Sequence, residues 1–432
     1  LITATSEVFG GWVTFCFLGT TLFDYICCMG TTSIDYLREK SLQKVNRVSL
    51  DIKRYLFLKI TLNNRFIILK GARGVGKTTL LLQHIKQKHG LSSEALYISL
   101  DDLWFSEHNL VDLADLFVKE GGKYLYIDEI HKYPNWSQAL KNIYDDHHGL
   151  SIIATSSSSL NILQGTADVS RRALIYELKE LSLREFLLFR TGKDYPVYSI
   201  DDLLKHHTHI AGSLLEDSSL KPIALLKEYN SFGAYPFFKE DIEGYHQRLE
   251  QVISTIIESD LPAVLNIDYS SVQKLKKLLF IISESVPFKP NVSKLSEKTG
   301  VARDTFLRYL HYLNDAHLIQ LLHSSKKGST LYTKPEKIYL RNTNLLHALN
   351  PRQISSGTTR ETFFQQQVGV AADIHYPPKG DFLVNDTLTF EVGGKQKSRK
   401  QIKDVPDSYV VSDNREISSG TTIPLWLFGF LY

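Results

Sequence analysis

The sequence predicts an α/β protein. A parallel sheet with helices on both faces comes first, then a basic helix–turn–helix module, then a smaller second α/β domain. Three observations carry this prediction. Short apolar runs alternate with helical patterns across residues 63–190, and runs of that kind read as parallel strands buried on both faces. A glycine-rich loop follows the first of these runs. Residues 271–345 hold 13 basic and 5 acidic side chains, a net +8, which leaves −5 for the remainder of a chain whose formal charge is +3. The 432 residues are 43% hydrophobic and 22% charged. That composition excludes a disordered chain, and the length allows about two to four domains.

The chain opens with an uncharged apolar run of 16 residues, Val8 to Phe23. This is short of the roughly 20 residues that cross a bilayer as a helix. The positive region and clear cleavage site of a signal peptide are missing. The cysteines are Cys16, Cys27 and Cys28, and the single methionine, Met29, follows them directly. A disulfide scaffold or a cysteine zinc site is therefore excluded beyond residue 29, and a reducing, cytoplasmic setting is expected with no membrane partner. Residues 1–28 are expected to stand outside the fold, with Met29 as the natural start and 29–62 as a helical lead-in.

The strand RFIILK, 65–70, runs into Gly71, Ala72, Arg73, Gly74, Val75, Gly76, Lys77, Thr78 and Thr79, and then into an apolar helix. This is G-x-x-x-x-G-K-[ST] between a strand and a helix, the setting that makes the motif specific. Glycines let successive N–H groups turn inward around a phosphate. The helix N-terminus adds its dipole. Lys77 can reach the β- and γ-phosphates of ATP, and the Thr78 hydroxyl can ligate Mg²⁺. A second strand, in KYLYIDEIHK at 123–132, ends in Asp128 and Glu129. Asp128 is the expected Mg²⁺ partner, and Glu129 the group that polarises the attacking water. The next strand ends in SIIATSSSS, 151–159. Thr155, Ser156 and Ser157 are all candidates to orient the water or sense the γ-phosphate. Arg171 and Arg172 precede the fifth strand, ALIYEL. Either could face phosphate, in cis or across a subunit boundary of a homo-oligomer.

With these residues in view, the chain resembles bacterial and archaeal ATPases that pair an AAA-type P-loop domain with a C-terminal domain of unknown function, number 4143. The matching stretches are GARGVGKTTLL at 71–81, YLYIDEIHKYPNW at 124–136, SRRALIYELKELSLREFL at 170–187, KIYLRNTNLLHAL at 337–349 and GDFLV…TFEVGGK at 380–395. The resemblance spans roughly residues 35 to 432, and Leu181 to Phe186 is its most family-specific piece. It implies an additional-strand P-loop NTPase with strand order 5-1-4-3-2 in a cytosolic setting. In that family the sensor strand usually reads Thr-Gly-Ser-Ser; here Ser156 stands at the glycine.

Residues 191–270 read as a helical bridge. Within 271–350, VSKLSEKTGVARDTFLRYLHYLN (292–314) has helix–turn–helix patterning about Gly300. Two strand-like pieces follow, so the module reads as a winged helix. Arg303 and Arg308 would lie on its second helix, where base edges or phosphates of DNA are met. Lys326 and Lys327 would sit at the wing tip.

Residues 351–432 return to a helix followed by strands. Asp381, Glu391 and Lys395, with Glu361 on the preceding helix, resemble the cluster of a metal-dependent nuclease of restriction-endonuclease type, which takes Asp and then Glu-x-Lys. Here the Glu-to-Lys spacing is two residues longer and contains a Gly pair, which is expected to bend the strand. The terminal IPLWLFGFLY, 423–432, is expected to dock as a final strand. The leading expectation is an ATP-hydrolysing switch or motor acting on a partner, with DNA as the candidate. The alternatives are an ATP-controlled nuclease and a nucleotide-gated binding protein that does not hydrolyse.

Overall fold

The computed structural model describes residues 3–8, 11–16, 33–61, 64–157, 169, 171–265, 267–325, 334–352 and 354–432. Strands β1 (Thr3–Val8) and β2 (Gly11–Cys16) pair antiparallel with each other. Cys27, Cys28 and Met29 lie outside the described residues. The lead-in helix is α1 (Ser33–Arg47).

Next comes a five-stranded sheet built from β3 (Phe66–Lys70), β4 (Ala95–Ser99), β5 (Tyr124–Asp128), β6 (Ser151–Ser156) and β7 (Leu174–Glu177). Its order is β4-β5-β6-β3-β7 and every pair is parallel. Counted from β3 as the first strand, that order is 5-1-4-3-2, the P-loop NTPase arrangement. The helices between strands are α2 (Lys77–Lys88), α3 (Leu110–Lys119) and α4 (Trp136–Asp146). The side-chain period of two divides β3 between two cores. Phe66 and Ile68 join Leu96, Ile98, Leu125 and Ile127 on one face, while Ile67 and Leu69 join Tyr97, Tyr126 and Ile153 on the other.

Helix α5 (Leu183–Thr191) follows β7 and starts with a full capping box: Ser182 Oγ accepts from Glu185 N at 3.1 Å, and the Glu185 carboxylate accepts from Ser182 N. The bridge comprises α6 (Ile200–Leu215), α7 (Pro222–Phe232), α8 (Tyr245–Thr255), a π-helical turn (Ile256–Asp260) and α9 (Leu261–Leu265). Pro262 accounts for the turn. It cannot donate to the carbonyl four residues back, so the helix widens just before it.

Helix α10 (Tyr269–Ser285) leads into α11 (Val292–Thr299) and α12 (Arg303–Asp315). Gly300, at φ 68°, ends α11 in the left-handed conformation that glycine adopts without strain. Strands β8 (Ile319–Leu322) and β9 (Lys337–Leu340) pair antiparallel and complete the helix–turn–helix-plus-hairpin unit. Helices α13 (Thr343–Leu349) and α14 (Ser356–Ala371) precede a second sheet. Its strands are β10 (Ile374–His375), β11 (Phe382–Val384), β12 (Leu388–Gly393), β13 (Ser408–Ser412) and β14 (Thr422–Pro424), in that order. β10, β11 and β12 are antiparallel; β12, β13 and β14 are parallel.

The apolar C-terminus corrects one expectation. Only Thr422–Pro424 is strand; Leu425–Phe430 is a buried 3₁₀ turn packed on α5. A Cβ on Gly429 would lie 2.4 Å from the Leu183 side chain, so the two segments touch at backbone distance. The Tyr432 carbonyl accepts from Ser182 Oγ at 2.8 Å and Arg184 Nε at 3.0 Å. One apolar cluster then runs from β3 and α2 through the bridge and the helix–turn–helix to the second sheet. The units that the sequence separates share a core.

Candidate functional site

The loop between β3 and α2 turns where its glycines allow. A Cβ at Gly71 would fall 2.3 Å from the Leu178 carbonyl oxygen. Gly76, at φ 95°, caps α2 in a conformation that side chains rarely adopt. Lys77 is buried, and its Nζ donates to the carbonyls of Gly71 (2.9 Å) and Ala72 (3.0 Å). Burial lowers the pKa of this ammonium, while Glu129 and Asp128 oppose that shift.

Asp128 ends β5 beside the loop. One carboxylate oxygen accepts from Thr78 Oγ1 at 2.7 Å and from the Tyr97 hydroxyl at 2.9 Å; the other accepts from Thr155 Oγ1. Glu129 follows at φ 56°. Its N–H donates to Thr155 Oγ1 at 3.1 Å, and its carboxylate lies 3.2 Å from His131 Nδ1. Burial raises the Glu129 pKa, against the pull of Lys77. Burial also holds His131 neutral, pushed down to about 4. His131 Nε2 lies 3.0 Å from Ser157 Oγ. The three strand-tip hydroxyls thus differ. Thr155 positions both acids, Ser157 meets His131, and Ser156 is fully buried. The parts converge at one edge of the sheet: a turned loop, a buried ammonium, a hydroxyl–carboxylate pair and a second carboxylate held apart from it.

Three contributors carry no local motif. Tyr97 reaches Asp128 from the neighbouring strand. Arg54, in the lead-in, donates to the Val75 carbonyl within the loop. Asp260, on the bridge, contacts Arg73 Nη1 at 3.1 Å and Lys132 Nζ at 3.2 Å. The signal for Asp260 was an acid just before a helix-breaking Leu-Pro, and that is readable only in retrospect.

Arg171 and Arg172 are placed otherwise than a cis sensor requires. β7 is parallel to β3, with Ile67 opposite Leu174 and Lys70 opposite Glu177. Residues before Leu174 therefore lie at the sheet edge opposite the phosphate loop. Arg172 forms a bidentate pair with Asp145, both bonds 2.9 Å, and Arg171 is exposed.

Arg303 and Arg308 are exposed on α12, as are Lys294 and Lys298 on α11. Lys326 and Lys327 lie outside the described residues. Two of the 13 cations counted in this module serve the interior instead. Arg341 pairs with buried Glu180 at 2.9 Å, and Lys337 pairs with Glu361 at 2.5 Å.

In the terminal domain the lysine assignment shifts. The turn from Gly394 to Lys397, closed by Lys397 N donating to the Gly394 carbonyl at 2.9 Å, leaves Lys395 exposed and brings Lys397 Nζ to 2.5 Å from fully buried Glu391. Glu361 Oε2 is engaged by Lys337 and by the Tyr339 hydroxyl at 2.8 Å. Among the described residues, no group of three or more His, Cys, Asp or Glu side chains is arranged to hold a metal ion. Asp381 accepts from Val392 N at 2.9 Å. Its carboxyl is pushed up to about 6, chiefly by burial and then by Glu361 and Glu391.

An acid with its folded pKa above its unfolded value of about 3.9 destabilises the fold once it ionises. The cost is absent below pH 4, grows between pH 4 and 6, and is complete above pH 6. Asp381→Asn should therefore stabilise the chain at pH 8, by about 2 kcal/mol after allowance for partial exposure, and leave it unchanged at pH 4. Thermal melts at the two pH values test this; equal effects at both would contradict it.

The AAA domain family model matches residues 63–187, and the model of a domain of unknown function, DUF8612, matches residues 223–356. The second match falls on the bridge and the helix–turn–helix unit, and its number is not the 4143 of the resemblance. The chain is similar to two uncharacterized proteins of Methanocaldococcus jannaschii. One is 26% identical over 374 residues, 78% of this chain and 77% of the relative. The other is 26% identical over 303 residues, 66% of this chain and 62% of the relative. Among solved structures it is similar to the Aeropyrum pernix ORC1 protein in complex with DNA, at 12% identity over 73% of this chain and 92% of that one, TM-score 0.30. It is also similar to AMPPCP-bound DnaA from Aquifex aeolicus, at 15% identity over 60% and 84%, TM-score 0.25. On the family match alone, residues 63–187 carry an AAA domain. No helix among the described residues is long and apolar enough to cross a membrane.

Proposed function

We propose that the chain is a cytoplasmic, Mg²⁺-dependent ATPase whose nucleotide state is passed through the bridge to a DNA-binding helix–turn–helix module. One observation carries the nucleotide half: the Thr78 hydroxyl meets the Asp128 carboxylate at 2.7 Å beside buried Lys77. Two oxygen donors side by side, one of them anionic, suit a hard divalent cation. Thr78 and Asp128 would hold Mg²⁺, which supplies charge neutralisation across the β- and γ-phosphates. Turned N–H groups of the loop bind phosphate, and Lys77 stabilises its charge. Glu129, with its backbone N–H fixed by Thr155 and its carboxylate beside His131, accepts the proton of the attacking water. A homo-oligomer would give exposed Arg171 a neighbouring site to enter. Asp381, Glu391 and Glu361 take no nuclease step in this reading, because Lys397 and Lys337 neutralise two of these acids.

The DNA half rests on the exposed cations Lys294, Lys298, Arg303 and Arg308, which crowd one helix pair. Each phosphate contact adds about 0.9 to the salt slope of binding. The double variant R303E/R308E should bind duplex DNA at least about tenfold more weakly near 0.1 M salt, with the slope of log affinity against log salt reduced by about 2. Fluorescence anisotropy across a salt series, with and without ATP, reads both. Unchanged affinity and slope would remove this surface from DNA recognition.

A further inference from the structure

Asp260 belongs to the bridge yet lies against the phosphate loop. Its side chain is 5% exposed; both of its oxygens accept from Arg73, within the loop, and one of them also accepts from Lys132, three residues beyond Glu129. The Asp260 charge is also felt at Lys77, Glu129 and His131. A second contact joins the bridge to the same loop. A Cβ on Gly74 would come 3.1 Å from the Phe237 ring, and one on Gly76 would come 3.7 Å from Pro236. The bridge therefore touches the loop at a charged point and an apolar point. The charged point is the last residue of the π-helical turn Ile256–Asp260, a local geometry that recurs at functional sites.

We propose that Asp260 competes with nucleotide phosphate for Arg73 and Lys132, so that phosphate binding loosens the bridge from the loop. This rests on the nucleotide reading and names the regulation of that site. The physical basis is charge. Arg73 and Lys132 are the two cations that Asp260 neutralises, and a triphosphate brings a larger negative charge to the same place. When phosphate draws these cations, the carboxylate loses its partners in a setting with little water. The π-helical turn is the element free to shift, because Pro262 already interrupts its hydrogen-bond ladder. α9 and α10 carry the shift toward α11 and α12. The coupling is reciprocal: whatever releases the bridge tightens nucleotide binding.

The test is a titration of a fluorescent ATP analogue with Mg²⁺ into the full chain. Relief of one competing ion pair worth about 1 kcal/mol should tighten binding of Asp260→Asn about fivefold. The same substitution in an R73Q/K132Q chain should give no gain, because the cations it frees are gone. Equal or weaker binding by Asp260→Asn overturns the proposal, and so does a full gain in the R73Q/K132Q chain. Hydrogen exchange of residues 256–261 in the unaltered protein is a second readout that requires no variant. ATP should speed exchange there, and unchanged exchange overturns the proposal. Failure of the unaltered protein to bind ATP removes the nucleotide reading and the proposal with it. Binding without either effect removes the proposal alone.

Discussion

Glu129→Gln is expected to lower ATP turnover by about 10²–10⁴ at saturating ATP and to leave nucleotide affinity nearly unchanged. The amide keeps the size and shape of the carboxylate, so the Thr155 hydroxyl still fixes the backbone at 3.1 Å. What is lost is the ability to take a proton. Burial raises the pKa of this carboxyl, which strengthens it as a base. Lys77→Ala is the contrasting variant. It removes the buried ammonium proposed to meet the phosphates and should abolish binding itself. Steady-state turnover with a parallel binding titration separates the two. Full turnover in Glu129→Gln would assign the base elsewhere.

Arg54→Ala is expected to have the largest effect on stability. The guanidinium donates to both oxygens of Glu185, at 2.9 and 3.1 Å, and to the Lys179 carbonyl at 2.7 Å, besides the Val75 carbonyl in the phosphate loop. The Arg54 and Glu185 side chains are 4% and 1% exposed. Truncation leaves a buried carboxylate without its counter-ion, a loss of about 3–5 kcal/mol. Pairing Arg54→Met with Glu185→Gln should recover part of that, because no charge is then stranded and the amide oxygen still accepts from the backbone N–H of Tyr55 or of Ser182 at the start of α5. Urea denaturation of the single and double variants measures both. A loss below about 1 kcal/mol would mean that water reaches the pair. Arg54→Ala should also weaken ATP binding, since it frees the Val75 carbonyl at the loop.

The site divides by how far apart its residues are in the chain. Gly71 to Thr79, Asp128 and Glu129 were legible because the chemistry requires those types at fixed spacing next to a strand. The Thr155 assignment was half legible: three hydroxyls end β6, and only the geometry shows which one reaches the acids. Tyr97, Arg54 and Asp260 were not legible. Asp260 lies 187 residues from Arg73, and an isolated acid in a helical segment has the same pattern whether it faces solvent or a nucleotide loop. Lys395 was a candidate by its place after Glu391, with the Gly pair expected to bend the strand; the bend comes as the turn from Gly394 to Lys397, and it brings Lys397 to Glu391 instead.

By itself, the sequence determined the parallel sheet, its phosphate loop and acids, the helix–turn–helix and the second α/β unit. Each depends on periodicity and spacing within a few residues, where backbone geometry leaves few choices. Only the tertiary structure decided that these units share one apolar cluster, that Arg172 turns to Asp145 and away from the loop edge, and that the bridge touches the phosphate loop through Asp260 and Phe237. Those contacts depend on the path of the whole chain, and local pattern carries no record of it.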